Sequence, residues 1–164
     1  KIANSLSLHL ALYLIFEKNP LAQSCSAPPE LIVAHTPIAS AILEFVEHVY
    51  SSVPDQVFAI DVSAHEDAKL ITQRLLERIE QMQSSSEVLI MTDIMGATPS
   101  NVASKLASSG TTGKVLQIVT GLNLPMLLRT ISHRNEPLDE IVEKALQGGQ
   151  QGVIRIRDLS KAIP

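Results

Sequence analysis

The stretch ELIVAHTPIASAI, residues 30–42, contains the unit of strand and helix from which we predict the fold. Its residues 31–34 form a continuous apolar run, which is typical of a strand that is covered on both faces. Thr36 and Pro37 follow, and they fit the N-cap and the first position of a helix. Apolar residues then recur at helical spacing, so we predict a helix that ends at about Tyr50.

The same unit recurs along the rest of the chain. Each further strand is a short apolar run, and each further helix shows apolar residues on one face. We predict strands at residues 57–62, 88–92 and 115–120, and helices within residues 67–82, 96–108, 123–131 and 137–146. Apolar strands that alternate with helices indicate an α/β fold with a mainly parallel, doubly wound sheet.

Two segments refine this prediction. In GATPSN, residues 96–101, Thr98 is the predicted N-cap of a helix and Pro99 its first residue. In GVIRIRD, residues 152–158, apolar and charged residues alternate. This pattern differs from that of the earlier strands and predicts an edge or half-exposed strand.

Composition excludes several classes of function. The 164 residues carry a net charge of −4 without a cluster of lysine or arginine, which argues against nucleic-acid binding. Aromatic residues make up 3% of the chain and tryptophan is absent, which disfavours a surface for stacking bases. Cys25 is the single cysteine, so the chain has no internal disulfide and no cysteine-based metal site. A reducing cytoplasm fits best.

The first 29 residues are interpreted as an extension in front of a domain at residues 30–164. The apolar segment SLSLHLALYLIF, residues 5–16, is similar to the core of a signal peptide but is too short for a membrane-spanning helix. Glu17, Lys18 and Pro20 follow it at once. We therefore favour an added amphipathic helix or a vector-derived extension over a targeting segment.

The candidate site lies at the carboxyl ends of the predicted strands, where ligands of such sheets bind. His35 ends the first strand and Asp93 the third, so the two side chains can meet across the edge of the sheet. A carboxylate on one ring nitrogen would fix the tautomer of the imidazole and leave the other nitrogen as a nucleophile. Taken alone, His35 could also be a buried spacer, a metal ligand or an acid/base.

An anion site is predicted beside this pair. The helix that opens at Gly96, Ala97 and Thr98 directs free N–H groups to the same region, and the hydroxyls of Thr98 and Ser100 add donors. Histidine, carboxylate and anion site together suggest phosphoryl chemistry. Each feature also has a structural explanation: a core histidine, a turn-forming aspartate and a well-capped helix start.

The other histidines of the domain do not suggest a metal site. His48 falls within a helix on its expected exposed side, His65 precedes a helix start, and His133 lies at a helix end. The chain has no HExxH motif and no closely spaced histidine pair, so we expect no metal.

Three blocks together resemble a known family. LIVAHTPIASAILE, VLIMTDIMGATPSNVA and VTGLNLPMLL, in this order, are similar to the mannose-type (mannose, fructose and sorbose) enzyme IIA proteins of the bacterial sugar phosphotransferase system. The resemblance covers residues 31–158. It implies a doubly wound fold with flavodoxin-like strand order and a homodimer in which the C-terminal segment, as an antiparallel edge strand, is exchanged between subunits.

The resemblance also implies a function, that of a phosphotransferase component. His35 would accept phosphate on Nε2 from phospho-HPr and pass it to a IIB component during sugar uptake. Asp93 would hydrogen-bond the other ring nitrogen, and Thr98 would supply a hydroxyl to the phosphate, with Gly96, Ala97, Ser100 and Thr36 around it. No cofactor is expected. The protein would be cytoplasmic and would meet the membrane only through a permease complex.

This chain departs from the family at three positions of the site. Thr36 and Ala97 stand where glycine or alanine and a second glycine are common, and Met95 replaces a frequent aromatic residue. We expect these changes to affect the transfer rate and the choice of partner more than the chemistry. Three other functions stay open: a regulatory phosphocarrier without transport, a phosphoryl donor domain of a dihydroxyacetone kinase system, and a flavodoxin-like binding domain without transfer activity.

Overall fold

The computed structural model describes residues 27–82 and 85–155. Strands and helices alternate through most of this part of the chain, as the apolar pattern predicts. The strands are β1 (Glu30–His35), β2 (Val57–Val62), β3 (Glu87–Thr92) and β4 (Val115–Thr120). The helices are α1 (Ile38–Tyr50), α2 (Ala68–Gln81), α3 (Thr98–Ser109), α4 (Leu124–Ser132) and α5 (Leu138–Gln151).

The four strands form one parallel sheet in the order β2-β1-β3-β4. The strand β1 is therefore central, and residues that alternate along it face opposite layers. Leu31 and Val33 pack with α2 and α3, whereas Ile32 and Ala34 pack with α1, α4 and α5. Burial of both faces explains why the central residues of β1 and β3 are apolar, and it confirms the predicted doubly wound α/β fold.

The predicted cap of α1 is wrong. The helix begins at Ile38 with Pro37 as N-cap, after a cis Thr36–Pro37 peptide bond, and no side chain of this segment caps it. The carboxylate Oδ1 of Asp61 accepts hydrogen bonds from the backbone N–H groups of Ala39 (3.0 Å) and Ser40 (3.3 Å) instead. The neighbouring strand supplies the cap, a contact that local pattern cannot predict.

The predicted cap of α3 is also shifted by one residue. Ala97 is the N-cap, without a side-chain hydrogen bond, and Thr98 is the first helical residue. The side-chain amide of Asn101 donates to the carbonyl oxygen of Gly96 at 2.8 Å and ties the helix to the preceding turn. Thr98 consequently keeps its hydroxyl free of a capping role.

The helix α5 is longer than predicted because its glycines are packing residues. Gly148 and Gly149 are buried against α4, and a Cβ atom on Gly149 would lie 2.9 Å from Cε of Met126. The helix thus continues to Gln151, where two glycines would otherwise suggest an end.

Beyond α5, residues 153–155 have no regular secondary structure, and residues 156–158 of the predicted edge strand lie outside the described part of the chain. The exchanged strand therefore stays a prediction. Most of the predicted extension, residues 1–26, also lies outside the described residues. No helix within residues 27–82 and 85–155 has the length and apolar character needed to cross a bilayer.

Candidate functional site

The structure brings His35 and Asp93 into contact at the carboxyl edge of the sheet. Because β1 and β3 are adjacent and parallel, the last residue of β1 and the residue after β3 lie side by side. The ring Nδ1 of His35 lies 2.7 Å from Oδ2 of Asp93. The backbone N–H of His35 donates to the same oxygen at 2.9 Å, and the backbone N–H of Ile94 donates to Oδ1 at 2.8 Å.

These contacts determine the protonation state of Asp93. Burial raises the pKa of the Asp93 carboxyl, but the hydrogen bonds from His35 and Ile94 outweigh it and leave the pKa below its usual value. Asp93 is therefore a carboxylate at neutral pH, and a carboxylate only accepts hydrogen bonds. A neutral His35 must then carry its proton on Nδ1, which leaves the lone pair on Nε2.

The two side chains differ in accessibility. The side chain of Asp93 is 6% exposed, whereas that of His35 is 37% exposed. Within the part of the chain that the structure describes, Nε2 makes no hydrogen bond. In its neutral form the ring thus presents a fixed nitrogen with a free lone pair to solvent, and such a nitrogen is suited to act as a nucleophile.

The predicted anion site lies at the start of α3. Gly96 turns the chain with a φ of +81°, a conformation that favours glycine, and the exposed Thr98 opens the helix. The first intrahelical bond runs from the N–H of Asn101 to the carbonyl of Ala97. The N–H groups of Thr98 and Ser100 precede it, so they have no intrahelical acceptor.

The remaining predicted anion ligands are less available. The N–H of Ala97 donates to the carbonyl of Ile94, and the N–H of Thr36 donates to the carbonyl of Val62. Ser100 is buried, whereas the side chain of Thr36 is exposed. Within residues 27–82 and 85–155, the hydroxyl and backbone N–H of Thr98 have no hydrogen-bond partner, so Thr98 is the strongest of the predicted anion ligands.

Sequence reasoning missed Asp61, which lies on the other side of His35. Its carboxylate caps α1, and its backbone carbonyl accepts a hydrogen bond from Arg74 at 3.1 Å. Arg74 also pairs with Glu66 at 2.6 Å, and Glu66 accepts from the N–H of Ser63. The available signal was one acidic residue that interrupts the apolar run VFAIDV, residues 57–62.

Exposed apolar side chains lie at the same end of the sheet as His35. They come from the first turn of α1, from the β3–α3 loop and from the start of α4, all at the carboxyl edge of the sheet. Met95 is the most accessible of them at 80% exposure. We call this set the apolar rim: Ile38, Ile94, Met95 and Leu124.

The other histidines of the described chain stay apart from His35. His48 is exposed on α1, and His65 is exposed in the β2–α2 loop. Nδ1 of His133 lies 3.4 Å from Oε1 of Glu136, near the opposite edge of the sheet. In residues 27–82 and 85–155, no three histidine, cysteine, aspartate or glutamate side chains cluster as metal ligands would.

Similar proteins include components of the phosphotransferase system (PTS). The PTS sorbose-specific EIIA component of Lacticaseibacillus casei is 32% identical over 105 residues, which are 64% of this chain and 72% of that protein. The PTS mannose-specific EIIAB component of Escherichia coli (strain K12) is 27% identical over 109 residues, or 64% of this chain. That match spans 33% of the EIIAB component.

Solved structures show the same fold. The phosphotransferase system component EIIA from Streptococcus agalactiae is 27% identical, with a TM-score of 0.71 over 79% of this chain and 97% of that chain. The mannose/sorbose-specific IIA subunit from Enterococcus faecalis is 22% identical, with a TM-score of 0.68 over 79% of this chain and 95% of that chain.

The family assignment rests on the extent of the match. The family model EIIA-man, described as the PTS system fructose IIA component, matches residues 31–146 and so includes His35, Asp93 and Thr98. That range covers most of the chain and nearly all of the described sheet and helices. The chain therefore belongs to the mannose-type IIA family of the phosphotransferase system.

Proposed function

We propose that the protein is a phosphoryl carrier in which Nε2 of His35 accepts a phosphoryl group from phospho-HPr and passes it to a IIB component. The observation that carries this proposal is the 2.7 Å contact between Nδ1 of His35 and the buried carboxylate of Asp93. It holds the proton on the far side of the ring and leaves the exposed nitrogen free to react.

The reaction is a displacement at phosphorus. The lone pair on Nε2 forms the new N–P bond while the bond between phosphorus and the donor breaks, and the donor keeps that electron pair. The imidazole ring then carries positive charge, which the Asp93 carboxylate stabilises through the Nδ1 proton. In the second transfer, a nucleophile of the IIB component forms its bond to phosphorus as the N–P bond of His35 breaks.

The start of α3 supports the phosphoryl group in this proposal. Phosphoryl oxygens carry negative charge, and a helix N-terminus with unpaired N–H groups attracts anions. The hydroxyl and N–H of Thr98 and the N–H of Ser100 would bind the phosphoryl oxygens, with Gly96 and Ala97 shaping the turn beneath them. The exposed Thr36 follows His35, and its backbone N–H donates to Val62 of β2, the strand on the opposite side of β1 from β3.

The apolar rim is the proposed docking surface for both partners. Ile38, Ile94, Met95 and Leu124 are exposed at the end of the sheet that also carries the partly exposed His35. Donor and acceptor therefore dock in turn on the same surface. Exposed apolar residues around a polar centre are typical of such interfaces. We place the carrier in the cytoplasm, where it meets the membrane only through a sugar permease complex.

We also propose the homodimer with an exchanged C-terminal strand. The strand β4 pairs with β3 alone in the described sheet, so its outer edge has free backbone groups. The segment GVIRIRD, residues 152–158, has the alternating pattern of a strand that covers such an edge. Its first apolar residues, Val153 and Ile154, are exposed in the single chain.

Phosphorylation in vitro tests the carrier function. The protein is incubated with labelled phosphoenolpyruvate, enzyme I and HPr, and the label is assayed for the acid lability and base stability of phosphohistidine. We expect stoichiometric labelling of the wild type and of His48→Ala, which removes an exposed histidine on α1, and no labelling of His35→Ala. Full labelling of His35→Ala would reject the proposal.

A further inference from the structure

A buried carboxyl group lies at the amino-terminal end of β1, the opposite end of the strand from His35. Glu30, the first residue of β1, is 1% exposed, although β1 is otherwise apolar up to His35. Its register partners on β2 and β3 are Val57 and Leu89, which are both buried. The paired positions on both neighbouring strands are therefore apolar, and a negative charge buried beside them is costly.

The polar contact of Glu30 comes from α4. Oγ1 of Thr130 lies 2.6 Å from Oε2 of Glu30 and 2.8 Å from the carbonyl oxygen of Leu127. A threonine hydroxyl has one hydrogen, and a carbonyl oxygen only accepts. If that hydrogen goes to Leu127, the short contact with Glu30 needs a second hydrogen, which a protonated carboxyl supplies.

None of the charged and titratable groups that the structure describes near Glu30 pairs with its carboxyl in a way that would favour the carboxylate over the protonated form. The positive charge of Arg134, which follows α4, lowers the pKa of Glu30. The guanidinium, however, donates its hydrogen bond to the carbonyl of Asp55 and not to Glu30. Burial raises the pKa of Tyr50 on α1, its hydrogen bond with Ser132 lowers it, and a charged Glu30 raises it. Within residues 27–82 and 85–155, Glu30 forms no ion pair, and its Oε1 has no hydrogen-bond partner.

We propose that Glu30 is protonated in the folded protein and donates its hydrogen to Thr130, so that a proton holds α4 to the central strand. In this arrangement the Thr130 hydroxyl donates to Leu127, and every hydrogen of the contact has an acceptor. Loss of the proton leaves a carboxylate among apolar residues and weakens the contact. The contact between β1 and α4 through Glu30 and Thr130 therefore weakens as the pH rises through neutrality.

The pH range follows from the titration of the group. Burial raises the pKa of Glu30 from 4.5 to about 7, and it outweighs the opposite effects of a hydrogen bond donated by Thr130 to the carboxylate and of the Arg134 charge. Between these two values the folded chain holds a proton that the unfolded chain has released, so stability falls as pH rises. The unfolding equilibrium constant should increase by about tenfold per pH unit across this range and level off above it.

Urea unfolding of the full chain between pH 5 and pH 8.5 tests the proposal against Glu30→Gln. The glutamine amide can donate to Thr130 and stays neutral at every pH. We expect the unfolding constant of the wild type to rise across the range relative to that of Glu30→Gln, because all other titrating groups are common to both proteins. Parallel pH profiles would overturn the proposal.

A direct titration covers the case in which Glu30→Gln fails to fold. The side-chain carboxyl carbon of Glu30, followed by NMR in the wild type, should titrate near neutral pH, and a midpoint near 4.5 would overturn the proposal. In Thr130→Val the protonated carboxyl loses its acceptor, so the midpoint should fall. An unchanged or higher midpoint would mean that Thr130 is not the acceptor and would also contradict the proposal.

Discussion

The two sides of His35 are built differently, although an aspartate stands on each. On the β3 side, Asp93 binds the imidazole ring and the N-terminus of α3 is left without a side-chain cap. On the β2 side, Asp61 accepts two N–H groups of α1 and so closes the N-terminus of that helix. The β3 side thus keeps helix N–H groups without a side-chain cap, whereas on the β2 side a carboxylate already binds the corresponding N–H groups.

Because their contacts differ, Asp61 and Asp93 have separate roles. The carboxylate of Asp61 already offsets the positive end of the α1 dipole and would repel a second anion. The start of α3 carries no such charge, since its first turn contains no acidic residue. We infer that the β3 side serves transfer and that the β2 side fixes the segment after His35.

The largest expected effect is that of Asp93→Asn. Asparagine is neutral, so it no longer stabilises the positive charge of the phosphorylated ring. Its NH2 group must also face either the N–H of Ile94 or the Nδ1 and backbone N–H of His35, which all contact carboxylate oxygens in Asp93. We expect the rate of labelling from phospho-HPr to fall by about 100-fold or more, by analogy with tautomer-fixing aspartates in other enzymes. The thermal midpoint of unfolding checks that the variant is folded.

Asp61→Asn is the matched control for this prediction. It makes the same change on the other side of His35, and asparagine retains an oxygen that can cap α1. We expect labelling close to that of the wild type. Equal losses in Asp61→Asn and Asp93→Asn would remove the distinction between the two sides, and a wild-type rate in Asp93→Asn would remove the proposed role of Asp93.

A smaller effect is expected for Thr98→Val, which removes one hydroxyl with little change in volume. A hydrogen bond to a charged group is worth about 1.5–3 kcal/mol, so transfer should slow by about 10- to 100-fold. Thr36→Val removes the exposed hydroxyl on the β2 side and should slow transfer less. Rapid-quench measurement of phosphorylation compares the two variants, and a larger loss in Thr36→Val would place the phosphoryl group on the α1 side.

The smallest effect is the stability change in Asp61→Ala. The N–H groups of Ala39 and Ser40 lose their acceptor, and loss of a helix cap typically costs about 1 kcal/mol. We expect the free energy of unfolding in urea to decrease by this amount in Asp61→Ala. In Asp61→Asn, which keeps an oxygen for the cap, we expect most of the wild-type stability to remain. An unchanged free energy in Asp61→Ala would mean that water replaces the cap and that Asp61 has another role.

Much of the fold was predictable because burial imposes a pattern on each element. The bounds of β2 and β4 agree with their apolar runs, and α1 ends at Tyr50 as predicted. The prediction failed where neighbours in space decide the outcome. Thr36 resembles a cap, but Asp61 from the next strand takes that role, and the glycines of α5 resemble a helix end but pack against α4.

The sequence by itself determined the α/β class, the family and the candidate pair of His35 and Asp93, because each depends on residue types in a fixed order. Only the tertiary structure decided which helix N–H groups lack a cap, which helix start is already capped and which partner the buried Glu30 carboxyl contacts. These properties depend on distances between residues that are far apart in the chain, such as Glu30 and Thr130. A hydrogen bond needs a partner within reach, and folding alone brings that partner there.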